Sequence, residues 1–250
     1  MNAFKTTSLI TWLCILLLAN SIDGLAQYFP NEDFELYSNC PTGNSQINFC
    51  NSWTNANSAS TDYHNTCGYT GNGVIDGGPS SGNGSVGMWG YPAFSSCPGD
   101  AYAEMIKGTL MQSLVANTQY CITFDLRVDG TGSYTGPPNG CLDYGIYFYN
   151  TSSPPTPNGV CTFNVTPQLS INGNSILQGT YSTFSFTYTA SGGENAAIIG
   201  PFKNGNTSGC NTSNRTYLNL DNLTMVACNN CTSPTLVIAR VKQRFLLLGD

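Results

Sequence analysis

Two short runs carry, in strict alternation, residue types that can do chemistry. In "YCITFDLRVDG" (120–130), Asp125, Arg127 and Asp129 occupy every second position. In "CLDYGIYFYN" (141–150), Asp143, Tyr147 and Tyr149 share one alternate set of positions with Gly145. A period of two places each set on one face of a β-strand. Carboxylates and a guanidinium form planar, paired hydrogen bonds, and aromatic rings stack on the C–H face of a sugar. If the two strands pair as a hairpin through 130–140, these residues share one saccharide-binding surface. The alternative is an Asp-Arg-Asp row that keeps an exposed sheet soluble, worth about 0–1 kcal/mol. Trp89 in "GMWGYPAF", with Tyr91 and Tyr134, supplies further rings from Gly-rich loops. A third concentration is "NEDFELYSNC" (31–40), which sets Glu32, Asp33 and Glu35 around Phe34 in a chain of which only 9% is charged.

The elements that must position these groups are strands. Besides the two runs above, "YSTFSFTYTA" (181–190) and "TYLNLDNLTMVAC" (216–228) alternate, and "DFELY", "AYAEMIKGTL" and "ENAAIIGPF" do so more weakly. Glycine (27 residues), Pro and Asn clusters punctuate them, notably at 71–87, 130–140 and 150–159, and no long stretch has a helical period. Many short strands with long loops specify an all-β fold, an antiparallel β-sandwich of the jelly-roll type. Residues 1–26 read as a signal peptide: Lys5, an apolar run from Leu9 to Ala19, and Gly24-Leu25-Ala26 before Gln27. The chain is therefore expected at the cell surface or secreted. Of its eleven cysteines Cys14 leaves with the leader, and the remaining ten read as disulfide staples of undetermined connectivity. A net charge of −6 is the wrong sign for a phosphate backbone, which excludes nucleic acid as a partner, and no other segment is apolar enough to insert into a membrane. Residues 27–233 form one domain. The tail 234–250, richer in basic and aliphatic residues, reads as an extra strand or the opening of a further region.

Taken in order, "NEDFELYSNCP", "SWTNANSASTDYHNTC", "PGDAYAEM", "VANTQYCITFDL", "GIYFYN", "TASGGENAAIIGPFKN" and "YLNLDNL" resemble jelly-roll domains of the galactose-binding-like, carbohydrate-binding-module type. Such domains occur in exported proteins of Bacteroidetes-type bacteria, often attached to type IX secretion sorting domains, and no such signal is recognisable here. The resemblance spans most of 29–227. It implies a structural Ca²⁺ held by Glu35 and Asp221, with Asp33 as a further contributor, the oxygen-rich set that a hard cation takes. It also implies a buried role for Trp53. In the alternative without a bound ion, Glu35 and Asp221 are ordinary strand-edge charges facing solvent.

Several familiar patterns lack their context. "GNGSVG" (82–87) has no strand–helix unit around it, and "GPSSG" (78–82) has His64 as its only possible histidine partner. A single histidine also excludes two-His zinc sites. Cys228 and Cys231 read as disulfide partners, of each other or of other cysteines. The expected function is an exported, non-catalytic binding module for carbohydrate or a cell-surface polymer. The alternatives are a glycoside hydrolase or lyase drawing two acids from Glu104, Asp125, Asp129 and Asp143, or a structural adhesin. Glu194, after Gly192-Gly193, is expected to fix a turn.

Overall fold

The structure, a computed structural model, describes residues 27–72, 75–91, 96–97, 101–129, 142–203 and 215–228. The leader, the tail, Tyr134, Cys141, Cys210, Cys231 and the side chain of Tyr91 lie outside the described residues. The strands are β1 (Thr54–Asn55), β2 (Asp62–Asn65), β3 (Gly84–Tyr91), β4 (Tyr102–Ala103), β5 (Ile106–Thr109), β6 (Gln119–Val128), β7 (Leu142–Tyr149), β8 (Leu169–Asn172), β9 (Ser182–Thr189), β10 (Ala196–Lys203) and β11 (Thr216–Ala227). They form two antiparallel sheets, β1-β5-β10-β7-β8 and β2-β3-β11-β6-β9, with β4 paired to β3. From β6 onward the long strands β6, β7, β9, β10 and β11 alternate between the sheets, as in a jelly roll. Among the described residues there is no α-helix, and no helix is long and apolar enough to cross a membrane.

The core forms where the alternating apolar residues of both sheets meet. Ile122, Phe124, Leu126 and Val128 of β6 and Leu218 and Leu220 of β11 face Leu142, Tyr144, Ile146 and Phe148 of β7 and Ala197 and Ile199 of β10. Trp53 lies in the same core, stacked on Phe29 and donating its indole N–H to the Asn31 carbonyl at 2.8 Å. A smaller cluster on the outer side of the first sheet joins Met105, Ile198 and Phe202 to Phe163.

Three expectations need correction. The runs at 120–130 and 141–150 do not form a hairpin: β6 lies between β11 and β9, whereas β7 lies between β10 and β8 in the other sheet. "DFELY" is a turn rather than a strand. Phe34 is fully buried, but a left-handed backbone (φ 56°) turns it inward, and its carbonyl accepts a bond from the Tyr63 hydroxyl at 2.9 Å. Trp89 belongs to β3 rather than to a loop. The glycines that disguise this strand are there because other groups come close: a Cβ on Gly87 would run into the Tyr217 hydroxyl and the His64 ring.

Disulfides join Cys40 to Cys67, Cys97 to Cys161 and Cys121 to Cys228. Cys228 thus pairs elsewhere than with Cys231. Cys50 departs from the pairing pattern. It is a free, buried thiol, raised above its ordinary pKa chiefly by burial.

Candidate functional site

The row Asp125, Arg127, Asp129 does stand on the outer face of the second sheet, but the chain itself covers it. The β2–β3 connection runs across that face as a strap. Arg127 is buried, ion-paired to Asp76 at 3.2 Å, and donates to the carbonyls of Asp76 (2.9 Å) and Gly78 (3.1 Å). Its guanidinium also lies 4.8 Å from the centre of the Tyr181 ring. Asp129, fully buried, accepts from the Asp76 amide at 2.9 Å. Asp125 accepts from the Ser80 hydroxyl at 2.7 Å and from the Asn222 side-chain amide at 2.8 Å. Three residues read as ligand contacts are therefore strap anchors. Trp89, half-buried, meets Tyr217 edge-on at 4.8 Å on the same sheet.

The carboxylates at the two ends of the domain hold the same strap. Asp221 Oδ2 accepts from the amides of Ser80 (2.8 Å) and Ser81 (3.0 Å), and its Oδ1 from the Asn222 amide (2.7 Å). Glu35 Oε1 accepts from the amides of Asn83 (2.6 Å) and Gly84 (2.9 Å). This donor set does not fit the calcium ion that the resemblance implies. The positive ends of N–H dipoles stand where a cation would have to approach. Asp33 is not among their bonding partners; it is half-buried, and its charge acts on the Cys50 thiol. Among the described residues no three His, Cys, Asp or Glu side chains converge as a metal cluster.

Burial pushes the Asp221 carboxyl up to about 6, against the amide bonds that favour its anion. A carboxyl raised in the folded state stabilises the fold fully below its unfolded pKa, and that contribution is lost as pH rises through the folded value. Asp221→Asn should therefore flatten one component of the pH profile. The wild-type minus variant stability difference should decline between pH 4 and 6 and level off above 7. Denaturant melts across that range measure it, and a difference independent of pH would refute it. The comparison with the variant matters because His64, which burial lowers to about 4, contributes the opposite slope as pH falls.

The open face belongs to the first sheet. In β5, Ile106 and Gly108 point inward and Lys107 and Thr109 outward, both exposed. Gly108 admits the Trp53 ring, which a Cβ there would meet at 2.9 Å. Across the sheet Thr109 is in register with Ala196 of β10, and Ala196 with Tyr149 of β7. Lys107 is likewise in register with Ile198, and Ile198 with Tyr147. Ala196 is itself buried between them. A groove at this part of the sheet has a volume of about 660 Å³ and is lined by Asn48, Asn51, Thr54, Lys107, Thr109 and Tyr149, among others. Tyr147 and Tyr149 are near-parallel, with centroids 6.4 Å apart and planes at 12°. Asp143, on the same face of β7, accepts from the Asn172 amide at 3.2 Å.

Of the sequence-derived candidates, the structure thus separates Asp143 and Tyr147 from Asp125, Arg127, Asp129 and Trp89, on the outer faces of opposite sheets. The groove residues Lys107, Thr109 and Asn51 escaped notice. The outward alternation in "IKGT" was their one signal, and it does not show which strand lies two places away. The acids considered for hydrolysis are dispersed or covered. Glu104 is buried, accepting from the Trp89 amide at 2.9 Å and the Tyr102 hydroxyl at 2.9 Å, and burial raises it well above the ordinary carboxylate range. His64 is a core histidine, 2.7 Å from the Tyr217 hydroxyl, which in turn donates to Asp62 at 2.7 Å. Glu194 fixes its turn as expected, accepting from the amides of Ser191 (2.8 Å) and Gly192 (2.7 Å).

No protein-family model matches the chain, and no curated protein matches it in sequence. Solved structures do match. The first xylan-binding CBM22 domain of Xyn10C from Paenibacillus barcinonensis is 10% identical over 78% of this chain and 91% of its own, with a TM-score of 0.42. The K1 cleaved adhesin domain of Lys-gingipain from Porphyromonas gingivalis is 16% identical over 79% and 96%, with a TM-score of 0.39. TmCBM61, solved in complex with β-1,4-galactotriose, is 9% identical over 81% and 99%, with a TM-score of 0.38.

Proposed function

We propose that the chain is an exported, non-catalytic carbohydrate-binding module that takes its ligand in the groove on the outer face of the first sheet. The observation that carries this reading is the groove's make-up: Tyr149, its ring near-parallel to that of Tyr147 beside it on β7, lines the groove together with Lys107, Thr109, Thr54, Asn48 and Asn51. Rings that lie along a strand give a flat apolar platform, and neutral donors and acceptors around it suit hydroxyl groups. The lining contains no carboxylate, so it lacks the acid pair that hydrolysis of a glycosidic bond needs. The three disulfides support an oxidising destination outside the cytoplasm.

Tyr149→Ala tests the reading. The side chain is half-buried at the rim of the sheet, so the variant should fold, and its affinity for any glycan the wild type retains should fall at least about tenfold, the worth of one aromatic platform. A glycan array followed by titration calorimetry reads this out. Unchanged affinity in the variant would move the site elsewhere, and release of shortened saccharides from a bound glycan would replace the binding module with an enzyme.

A further inference from the structure

We infer that the groove selects acidic saccharides, sugars carrying a carboxylate or a sulfate ester, over neutral ones. The inference rests on the groove being the carbohydrate site proposed above and adds the charge of its ligand. Lys107 is the one charged side chain among the lining residues. It is exposed, and its cross-strand neighbours are Thr54 and Ile198, so no acid faces it from the strand on either side. The chain as a whole carries −6. Among the described residues this ammonium faces the groove with no acid opposite it on either neighbouring strand, whereas the buried Arg127 on the other sheet is engaged with Asp76 and the strap through its terminal nitrogens.

The spacing suits a pyranose. From the register, Lys107 and Tyr149 are two strands and two residues apart, about 10 Å across the sheet and about 7 Å along it. With a sugar ring lying on Tyr149, a charged substituent on its edge comes within range of the flexible lysine stem across the groove both residues line. An ammonium is a compact point charge rather than a planar fork, so it recognises carboxylate and sulfate alike. At a rim position the attraction is screened by salt.

Affinity electrophoresis of the full chain in gels containing galactan, polygalacturonate or carrageenan tests this, since the three polymers are neutral, carboxylated and sulfated. Both acidic polymers, or one of them, should retard the protein about five- to tenfold more strongly than galactan at low ionic strength, and the excess should vanish in roughly 0.5 M salt. Lys107→Gln should remove the preference, bringing retardation by the acidic polymers down to the level of galactan. Lys203→Gln, which changes net charge equally at the end of β10, should keep the preference. Equal retardation by all three polymers, stronger retardation by galactan, or a preference that survives in Lys107→Gln would overturn the inference while leaving carbohydrate binding intact. Failure of all three, and of a broad glycan array, would remove the carbohydrate reading and the inference with it.

Discussion

Replacing Cys121 and Cys228 together by serine should destabilise the domain by about 3–4 kcal/mol, lowering its melting temperature by roughly 10 °C. The bridge joins residues 107 apart, the longest loop closed by a disulfide among the described residues. It sits where β6 and β11 run side by side, and the Cys228 amide donates to the Gln119 carbonyl at 2.9 Å. Its effect is mainly on the unfolded chain, which loses more freedom the longer the closed loop. The folded variant should therefore keep its secondary structure while unfolding at lower denaturant concentration. Equilibrium melts of the oxidised wild type and the double variant decide the matter, and coincident curves would mean that the bridge does not restrict the unfolded chain.

Arg127→Ala should cost about 3 kcal/mol, toward the lower end of what breaking an interior ion pair costs, because Asp76 retains partial contact with water. Removing the guanidinium strands the Asp76 carboxylate and two carbonyls, those of Asp76 and Gly78, at the centre of the strap. Arg127→Lys should recover only part of the loss, since one ammonium cannot span three acceptors in the geometry of a planar fork. Ligand affinity measured below the melting temperature should be unchanged in both variants. A weakened ligand with undiminished stability would return Arg127 to a binding surface and contradict the strap.

That prediction reverses what the sequence alone suggests for Arg127, and the reason is instructive. The alternation in 120–130 correctly places Asp125, Arg127 and Asp129 on a polar face, and the same logic correctly identifies β7 with its inward residues and β9 and β11 as strands. What alternation does not contain is the identity of whatever lies over that face. The covering segment is a Gly- and Ser-rich loop some fifty residues earlier, whose amides carry no side-chain signature. β2 and β3 stayed hidden for a related cause. Asp62, His64 and Asn65 are polar yet buried, and the glycines of β3 answer to neighbours distant in sequence rather than to strand propensity. The groove was the least legible part. Lys107, Ala196 and Tyr149 come together only through the order β5-β10-β7, which no local pattern records.

The strap also bears on valency. With the centre of the second sheet's outer face covered by the chain's own loop, the carbohydrate reading places one groove on each copy among the described residues, and a single copy then has one place to hold a polymer. Titrations should saturate with a stoichiometry of one site per chain. Gripping a surface more tightly than one groove allows would then depend on how many copies are displayed side by side, where linked binding events multiply avidity without any new contact.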